Sequence, residues 1–453
     1  MGLFPQSFID DLKVQADIVR VVQDYVPLKK SGSSYRGLCP FHSEKTPSFH
    51  VNQDKAFFHC FGCGTGGDVL KFLELQEKLG FQDAVRHLAQ RFGVQVPEPE
   101  TERDVAAEAE RETLLGAHEL AADFFSTKLT DPLGRTAREH LIARGITSDT
   151  TELLQLGFAP PTRDGLITHL RAKGYSDNIS LRSGLATSLD GGALIDRFRN
   201  RLVIPITRES GSVIAFGARA LQSGQQPKYL NSPETSIYTK SRTLFGLHLT
   251  KRAIREVGYA IMVEGYFDLA QAVQAGVTPV VACCGTAVSE QQVRLLKRFT
   301  SKVIVSFDPD PAGDSAAARS GELLISEGFQ VNVVSLSEGE DPDTYILKNG
   351  IAGYSEKLRT SQPYLEYLMD REAAQRDLSK GGHQRAFLTR MLQAVARVPD
   401  AATRDQFADR LAHKAKILED VVRTEIRKAA VARRTALDER QVPAQGRIKT
   451  AEK

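Results

Sequence analysis

The sequence predicts a multidomain α+β protein: a small cysteine-bearing module, then a mixed α/β core around a parallel sheet, then a helical part. Three observations carry this. Cys39, His42, Cys60 and Cys63 fall in two close pairs within 25 residues. Four apolar runs, 259–263, 278–283, 303–307 and 331–336, alternate with helical patterns, the rhythm of a small parallel sheet with helical crossovers. Beyond about Glu356 the apolar spacing is helical as far as Arg434.

A chain of 453 residues is too long for one small domain. We expect a zinc-binding domain over 1–97, a linker over 98–112, a basic part of the core over 113–258 and the parallel sheet over 259–345. A helical part over 346–434 and a disordered tail over 435–453 complete the expectation. Ser7 is expected to cap a helix from Phe8 to about Tyr25. Pro97 and Pro99 open the linker, a polar stretch with few apolar residues. Arg201–Ile206 and Ser212–Gly217 read as the two strands of a hairpin. No apolar run approaches the ~20 residues that a membrane-spanning helix requires. The first residues lack a basic stretch followed by an apolar core. The expectation is a cytoplasmic protein without a membrane partner, read as a monomer.

The first module is read as a zinc-ribbon-like fold. Cys39-Pro40-Phe41-His42, seventeen intervening residues, then Cys60-Phe61-Gly62-Cys63 form a two-plus-two ligand set. Zinc takes four such ligands tetrahedrally, and a full Cys3His shell leaves no open position for catalysis. One structural zinc ion follows. Phe41, Phe49, Phe57, Phe58 and Phe61 surround the ligands, with Lys45, His50, Lys55 and His59 between them. Such interleaving suits stacking on single-stranded nucleic acid, or supplies the module's small core. Phe49 and Phe57 are read as core, and the others stay open. Cys283 and Cys284 follow Val280-Val281-Ala282 and read as packing thiols.

The core carries acids where strands end. Tyr259–Val263 leads into Glu264, Val303–Phe307 into Asp308, and Val331–Leu336 into Asp341 after a turn. Asp268 follows Glu264 by one helical turn, while Asp310 and Asp343 follow their partners at i+2. In a parallel sheet the strands' C-terminal ends share one edge, where ligands bind. Carboxylates gathered there repel one another unless a cation sits between them. An open acidic edge suits magnesium, or manganese, with substrate phosphate completing the shell. Gly285-Thr286-Ala287 could add backbone donors to a phosphate.

Charge is segregated along the chain. Between Arg197 and Arg252 ten Lys/Arg face two Asp/Glu, whereas between Ser301 and Tyr345 nine acids face two bases. A basic block followed by an acidic one fits a polyanion held beside a metal site.

Together these motifs resemble the bacterial DNA primases of the DnaG type, over roughly residues 3–435. Gly37-Leu38-Cys39-Pro40-Phe41-His42 and Phe58-His59-Cys60-Phe61-Gly62-Cys63 resemble that family's zinc-binding domain. Lys228-Tyr229-Leu230-Asn231-Ser232-Pro233-Glu234-Thr235 resembles a basic motif of its RNA polymerase domain. Glu264-Gly265-Tyr266-Phe267-Asp268, Asp308-Pro309-Asp310 and Glu340-Asp341-Pro342-Asp343 resemble the acidic motifs of its Toprim sheet. The resemblance implies synthesis of short RNA primers on single-stranded DNA from ribonucleoside triphosphates. Glu264, Asp308 and Asp310 would be the catalytic magnesium ligands, with Asp268, Asp341 and Asp343 completing the site. Arg144, Arg199, Arg201, Arg219, Lys228, Tyr229, Asn231 and Lys240 would line the groove for template and nucleotide. Phe267 and Pro309 depart from the family's usual methionine and glycine.

The family normally continues into a helical domain that binds the replicative helicase, whereas this chain stops at Lys453 within what reads as the approach linker. The expectation is that the docking domain is absent or its contact made differently, with the helicase a possible partner. Two rival readings are weighed. Another Toprim enzyme, a topoisomerase or nuclease, fits the zinc module poorly. A non-catalytic single-strand binding protein leaves the acidic clusters unexplained. A fused helicase motor is excluded, because no Gly-x4-Gly-Lys-[Ser/Thr] phosphate loop is present.

Overall fold

The computed structural model describes residues 4, 6–32, 34–53, 55–96, 102–284, 288–309, 311–336 and 339–441. It divides into two compact units: residues 1–120 with 170–183 and 210–212, and the remainder. Each is described by itself.

In the first unit the expected single helix is two, Gln6–Gln15 and Ile18–Gln23. Asp17 breaks it: its backbone is extended, and its carboxylate accepts from the Val19 and Arg20 amides. An N-cap side chain that satisfies the next turn's donors stops one helix and starts another. Ser7 lies within the first of these helices instead of preceding it. An antiparallel sheet follows in sequential order: β1 (Lys29–Ser31), β2 (Ser34–Gly37), β3 (Phe49–Asn52), β4 (Phe57–Cys60) and β5 (Gly66–Gly67). Phe49, Phe58 and Phe72 are fully buried, with Phe49 stacked on Phe58 at 5.3 Å between ring centres. The module therefore has a packed aromatic core besides its ligands. Phe57 is not part of it, contrary to expectation. Strand side chains alternate between faces, so burying Phe58 turns Phe57 outward, where it is 42% exposed. Phe61 is exposed as well.

The expected linker 98–112 is helical from Glu102, where the helix Glu102–Thr130 begins. The second unit's strands are β6 (Gly157–Ala159), β7 (Ala186–Ser188), β8 (Leu194–Asp196), β9 (Arg201–Thr207), β10 (Val213–Ala220) and β11 (Tyr229–Asn231). Four form an antiparallel sheet of order β11-β10-β9-β6, with the expected hairpin between β9 and β10. The second sheet comprises β12 (Ala260–Val263), β13 (Val280–Ala282), β14 (Lys302–Val305), β15 (Gln330–Val333) and β16 (Gln362–Pro363), in the order β13-β12-β14-β15-β16. All pairings are parallel except β15 with β16. Because β12 and β14 are neighbours, with Ile261 opposite Ile304, the acids that follow them leave the sheet side by side.

Four helices close the chain: Tyr364–Ala374, Gly381–Val395, Ala401–Ala415 and Glu419–Gln441. The last continues past Arg434, so residues 435–441, expected to be disordered, are helical. Its Ala, Arg and Glu content favours helix even where little is buried. Residues 442–453 of the expected tail lie outside the described residues. One apolar core runs from the parallel sheet into these helices, including Val305, Val331, Leu368, Met391, Phe407, Leu411 and Ile426. Among the described residues no helix is long and apolar enough to cross a membrane.

Candidate metal centres and catalytic cavity

The hairpin geometry of the first unit brings Cys39, His42, Cys60 and Cys63 together. Among the described residues this is the one group of three or more His, Cys, Asp or Glu whose ligand atoms all lie within 4.8 Å of one another. Cys39 Sγ is 3.9 Å from Cys63 Sγ, and Cys60 Sγ is 3.8 Å from His42 Nδ1. Amides of Phe41 and Gly62 donate to the sulfurs of Cys39 and Cys60, at 3.4 Å each. Burial pushes the Cys39 thiol up to about 12. For Cys60 burial also works upward, but the Ser48 hydroxyl and the Cys63 and Gly62 amides bring it down to about 7.

Beyond the four ligands, Glu44 organises the site. Its Oε1 accepts from the Cys39 and Ser48 amides at 2.7 and 3.0 Å, and its Oε2 lies 3.5 Å from His42 Nε2. A carboxylate on the outer nitrogen fixes the imidazole tautomer and leaves Nδ1 for the metal. Gly62 has no substitute here, since a Cβ would stand 2.7 Å from both His42 Nε2 and Ser48 Oγ. These residues fit zinc by donor type, by count and by the orienting carboxylate.

The second unit carries the acids. Glu264 follows β12, and Gly265 caps the helix Tyr266–Gln274 with its amide donating to Asp268 Oδ2 at 2.8 Å. Asp308 follows β14 by way of Ser306 and Phe307. Asp341 caps the helix Pro342–Arg359, accepting from the Thr344 amide at 2.8 Å. Asp343 sits in that helix's first turn, and its amide donates to Asp268 Oδ1 at 3.3 Å. Glu264, Asp268, Asp308, Asp341 and Asp343 line one cavity of about 450 Å³. Asp310 and Gly285-Thr286-Ala287 lie outside the described residues.

Crowding carries an electrostatic cost. Burial pushes the Asp268 carboxyl up to about 8, and the Asp308, Asp341 and Asp343 carboxylates push the same way against the Gly265 amide. Asp343 is raised by burial too, although Arg144 opposes this with a 2.5 Å contact to its Oδ2. Asp343 Oδ1 is buried with no hydrogen-bond partner among the described residues. Oxygen donors, an unsatisfied carboxylate oxygen and mutually repelling acids fit a hard divalent cation.

The cavity's other walls are basic. Arg144, Arg219, Lys228 and Lys240 line it, together with Tyr229 and Asn231. The Arg144 guanidinium lies 4.5 Å from the Phe267 ring centre, and Arg219 lies 5.4 Å from the same ring. Such stacking holds a guanidinium in place while its donors stay available. Two expected groove residues are elsewhere. Arg199 does not line the cavity, and its guanidinium donates to the Asp196 carbonyl. Arg201 is 4% exposed and donates to the Pro227 and Gln226 carbonyls at 2.8 and 3.2 Å, so it braces the main chain. Arg201→Ala is expected to cost about 1–3 kcal/mol through the loss of these charge-assisted hydrogen bonds and of the packing of its buried stem. Thermal denaturation checks this; an unchanged melting temperature would contradict the bracing role. Sequence reasoning did not single out Tyr266, Phe267 and Cys284 as cavity residues. Their only local signal is adjacency to the strand ends.

A zinc-ribbon module with a basic antiparallel sheet and an acid-edged parallel sheet defines a protein that handles polynucleotides in the Toprim manner. Comparison with known proteins narrows this. Residues 4–104 match the CHC2 zinc finger, 124–251 the N-terminal domain of the DNA primase catalytic core, and 261–346 a Toprim-like domain. A DNA primase of Halalkalibacterium halodurans is 38% identical over 425 residues, 93% of this chain and 70% of that protein. The DNA primase of Escherichia coli K12 is 35% identical over 423 residues, 92% of this chain and 73% of that protein. The Aquifex aeolicus primase structure of zinc-binding and RNA polymerase domains superposes with a TM-score of 0.62 at 34% identity, covering 92% of this chain and 98% of that one. A DnaG primase catalytic domain bound to single-stranded DNA gives 0.61 at 32% identity, covering 67% of this chain and 99% of that one. The chain belongs to the bacterial DNA primase family.

One expectation is overturned. Residues 365–420 match the DnaB-helicase binding domain of primase, so the docking region thought to be missing has a counterpart here. Its helices share the apolar spacing of any small bundle, which is why periodicity alone did not distinguish it from an approach linker.

Proposed function

We propose that this chain synthesises short RNA primers on single-stranded DNA, joining ribonucleoside triphosphates by magnesium-dependent nucleotidyl transfer. One observation carries the reading: carboxylates from adjacent parallel strand ends and four basic side chains line the same cavity. Glu264, Asp308 and Asp310 would hold the magnesium, or manganese, ion, with Asp268, Asp341 and Asp343 beside them. When bound, such an ion would supply Lewis-acid activation of the attacking hydroxyl and charge neutralisation at the leaving oxygen.

The chain's own residues do the rest. Lys228, Lys240 and Arg219 meet the triphosphate, and Tyr229 offers a ring to a base. Arg144, stacked on Phe267, stands where a phosphate can take over its contact with Asp343. The zinc module engages the template through its exposed Phe57 and Phe61 rings. The helices over 365–420 dock the replicative helicase, and the protein works in the cytoplasm.

A gel assay for de novo primer formation tests the whole reading. Single-stranded DNA, the four ribonucleoside triphosphates and magnesium should yield short RNA, and EDTA should abolish it. No product under these conditions would sink the proposal.

A further inference from the structure

Tyr266 begins the helix that follows Glu264, yet its side chain reaches the antiparallel sheet. Its hydroxyl donates to Asn231 Oδ1 at 2.9 Å. The ring has little room to move. It is 6% exposed, meets Phe245 edge-on at 4.9 Å, and lies so close to Gly217 that a Cβ there would stand 2.6 Å from it. Asn231 is held from its main chain as well. It pairs with Gly217 across β10 and β11, and its carbonyl accepts from Arg197 at 3.2 and 2.9 Å.

A primary amide has one acceptor end and one donor end. With Oδ1 engaged by Tyr266, the two N–H donors of Asn231 Nδ2 remain for a ligand, and Asn231 lines the cavity that holds Glu264 and Lys228. We infer that Tyr266 is a positioning residue: it fixes the Asn231 amide so that Nδ2 donates to an acceptor oxygen of the incoming ribonucleoside triphosphate. This rests on the proposed reading of the cavity as the nucleotide site. It explains why an aromatic phenol stands between the metal-side strand end and the basic sheet, where phenylalanine would pack equally well. An unfixed amide would pay rotational entropy on binding and would present its acceptor end to phosphate part of the time.

The test is steady-state priming with the full chain, varying the nucleotides and then the template. Tyr266→Phe keeps the ring and should raise KM for nucleotides about fivefold, the worth of one ordered hydrogen bond, with kcat unchanged within twofold. Asn231→Ala should raise it at least as much, and adding Tyr266→Phe to that variant should do nothing more. Asn231→Asp keeps the acceptor for Tyr266 but removes the donor, and should give the largest increase. A purely structural role for Tyr266 would lower the melting temperature without this split between KM and kcat. If Asn231→Ala leaves nucleotide KM unchanged, the reading of the cavity fails, and the inference with it. If Asn231→Ala raises KM and Tyr266→Phe does not, the inference alone fails. A rise confined to template KM would also overturn it.

Discussion

Glu264→Gln is expected to reduce primer synthesis at least about a thousandfold, with zinc content and melting temperature unchanged. The substitution keeps the shape of the side chain and removes its charge. A divalent cation at such a site supplies several kcal/mol of charge stabilisation, and ~4 kcal/mol corresponds to about three orders of magnitude in rate. Space around the group is tight: a Cβ on Gly313 would stand 3.0 Å from Glu264 Oε1 and closer still to the Asp308 carbonyl. The isosteric amide fits that space, so a folding defect cannot account for the loss. Gel analysis of primer products, beside metal analysis and thermal denaturation, measures all three quantities. A variant that still primes at a tenth of the native rate would remove Glu264 from the centre.

Cys60→Ser should strip the first unit of zinc and abolish initiation, while the second unit still extends a primer supplied to it. Cys60 is completely buried, accepts from the Gly62 amide and sits 3.2 Å from the Ser48 hydroxyl. A serine oxygen is a poor replacement for thiolate at zinc, and structural zinc contributes ~10–16 kcal/mol in small modules. The stacked Phe49 and Phe58 rings and Phe72 keep some of the apolar core together, so a partly ordered, metal-free module is the expected product. Metal analysis and separate assays of initiation and extension decide this. Normal initiation by a zinc-free variant would contradict the role given to the module.

Much of the candidate site was legible because buried strands announce themselves. The apolar runs before Glu264 and Asp308 became β12 and β14, and their order in the sheet follows from parallel pairing. The two-plus-two spacing of Cys39, His42, Cys60 and Cys63 marked the zinc set equally well. What stayed hidden depends on contacts distant in sequence. Arg201 and Arg219 belong to one basic block, and only the hydrogen bonds from Arg201 to the Pro227 and Gln226 carbonyls show which is structural. Tyr266 meets Asn231 across 35 residues and two sheets, a relation without any local pattern. The break at Asp17 was readable in principle, since an aspartate before a β-branched run is an N-cap signal. The two residues of β16 are too few to show a period.

The continuous apolar core from the parallel sheet to Ile426 has a practical corollary for dissecting this molecule. Anyone trimming the chain after the last acidic motif, to isolate a minimal polymerising fragment, would strip Leu368, Met391, Phe407 and Leu411 from their partners on the strands. Such a fragment would expose greasy surface and clump in the test tube. Its silence in an assay would then report precipitation, not a missing chemical group.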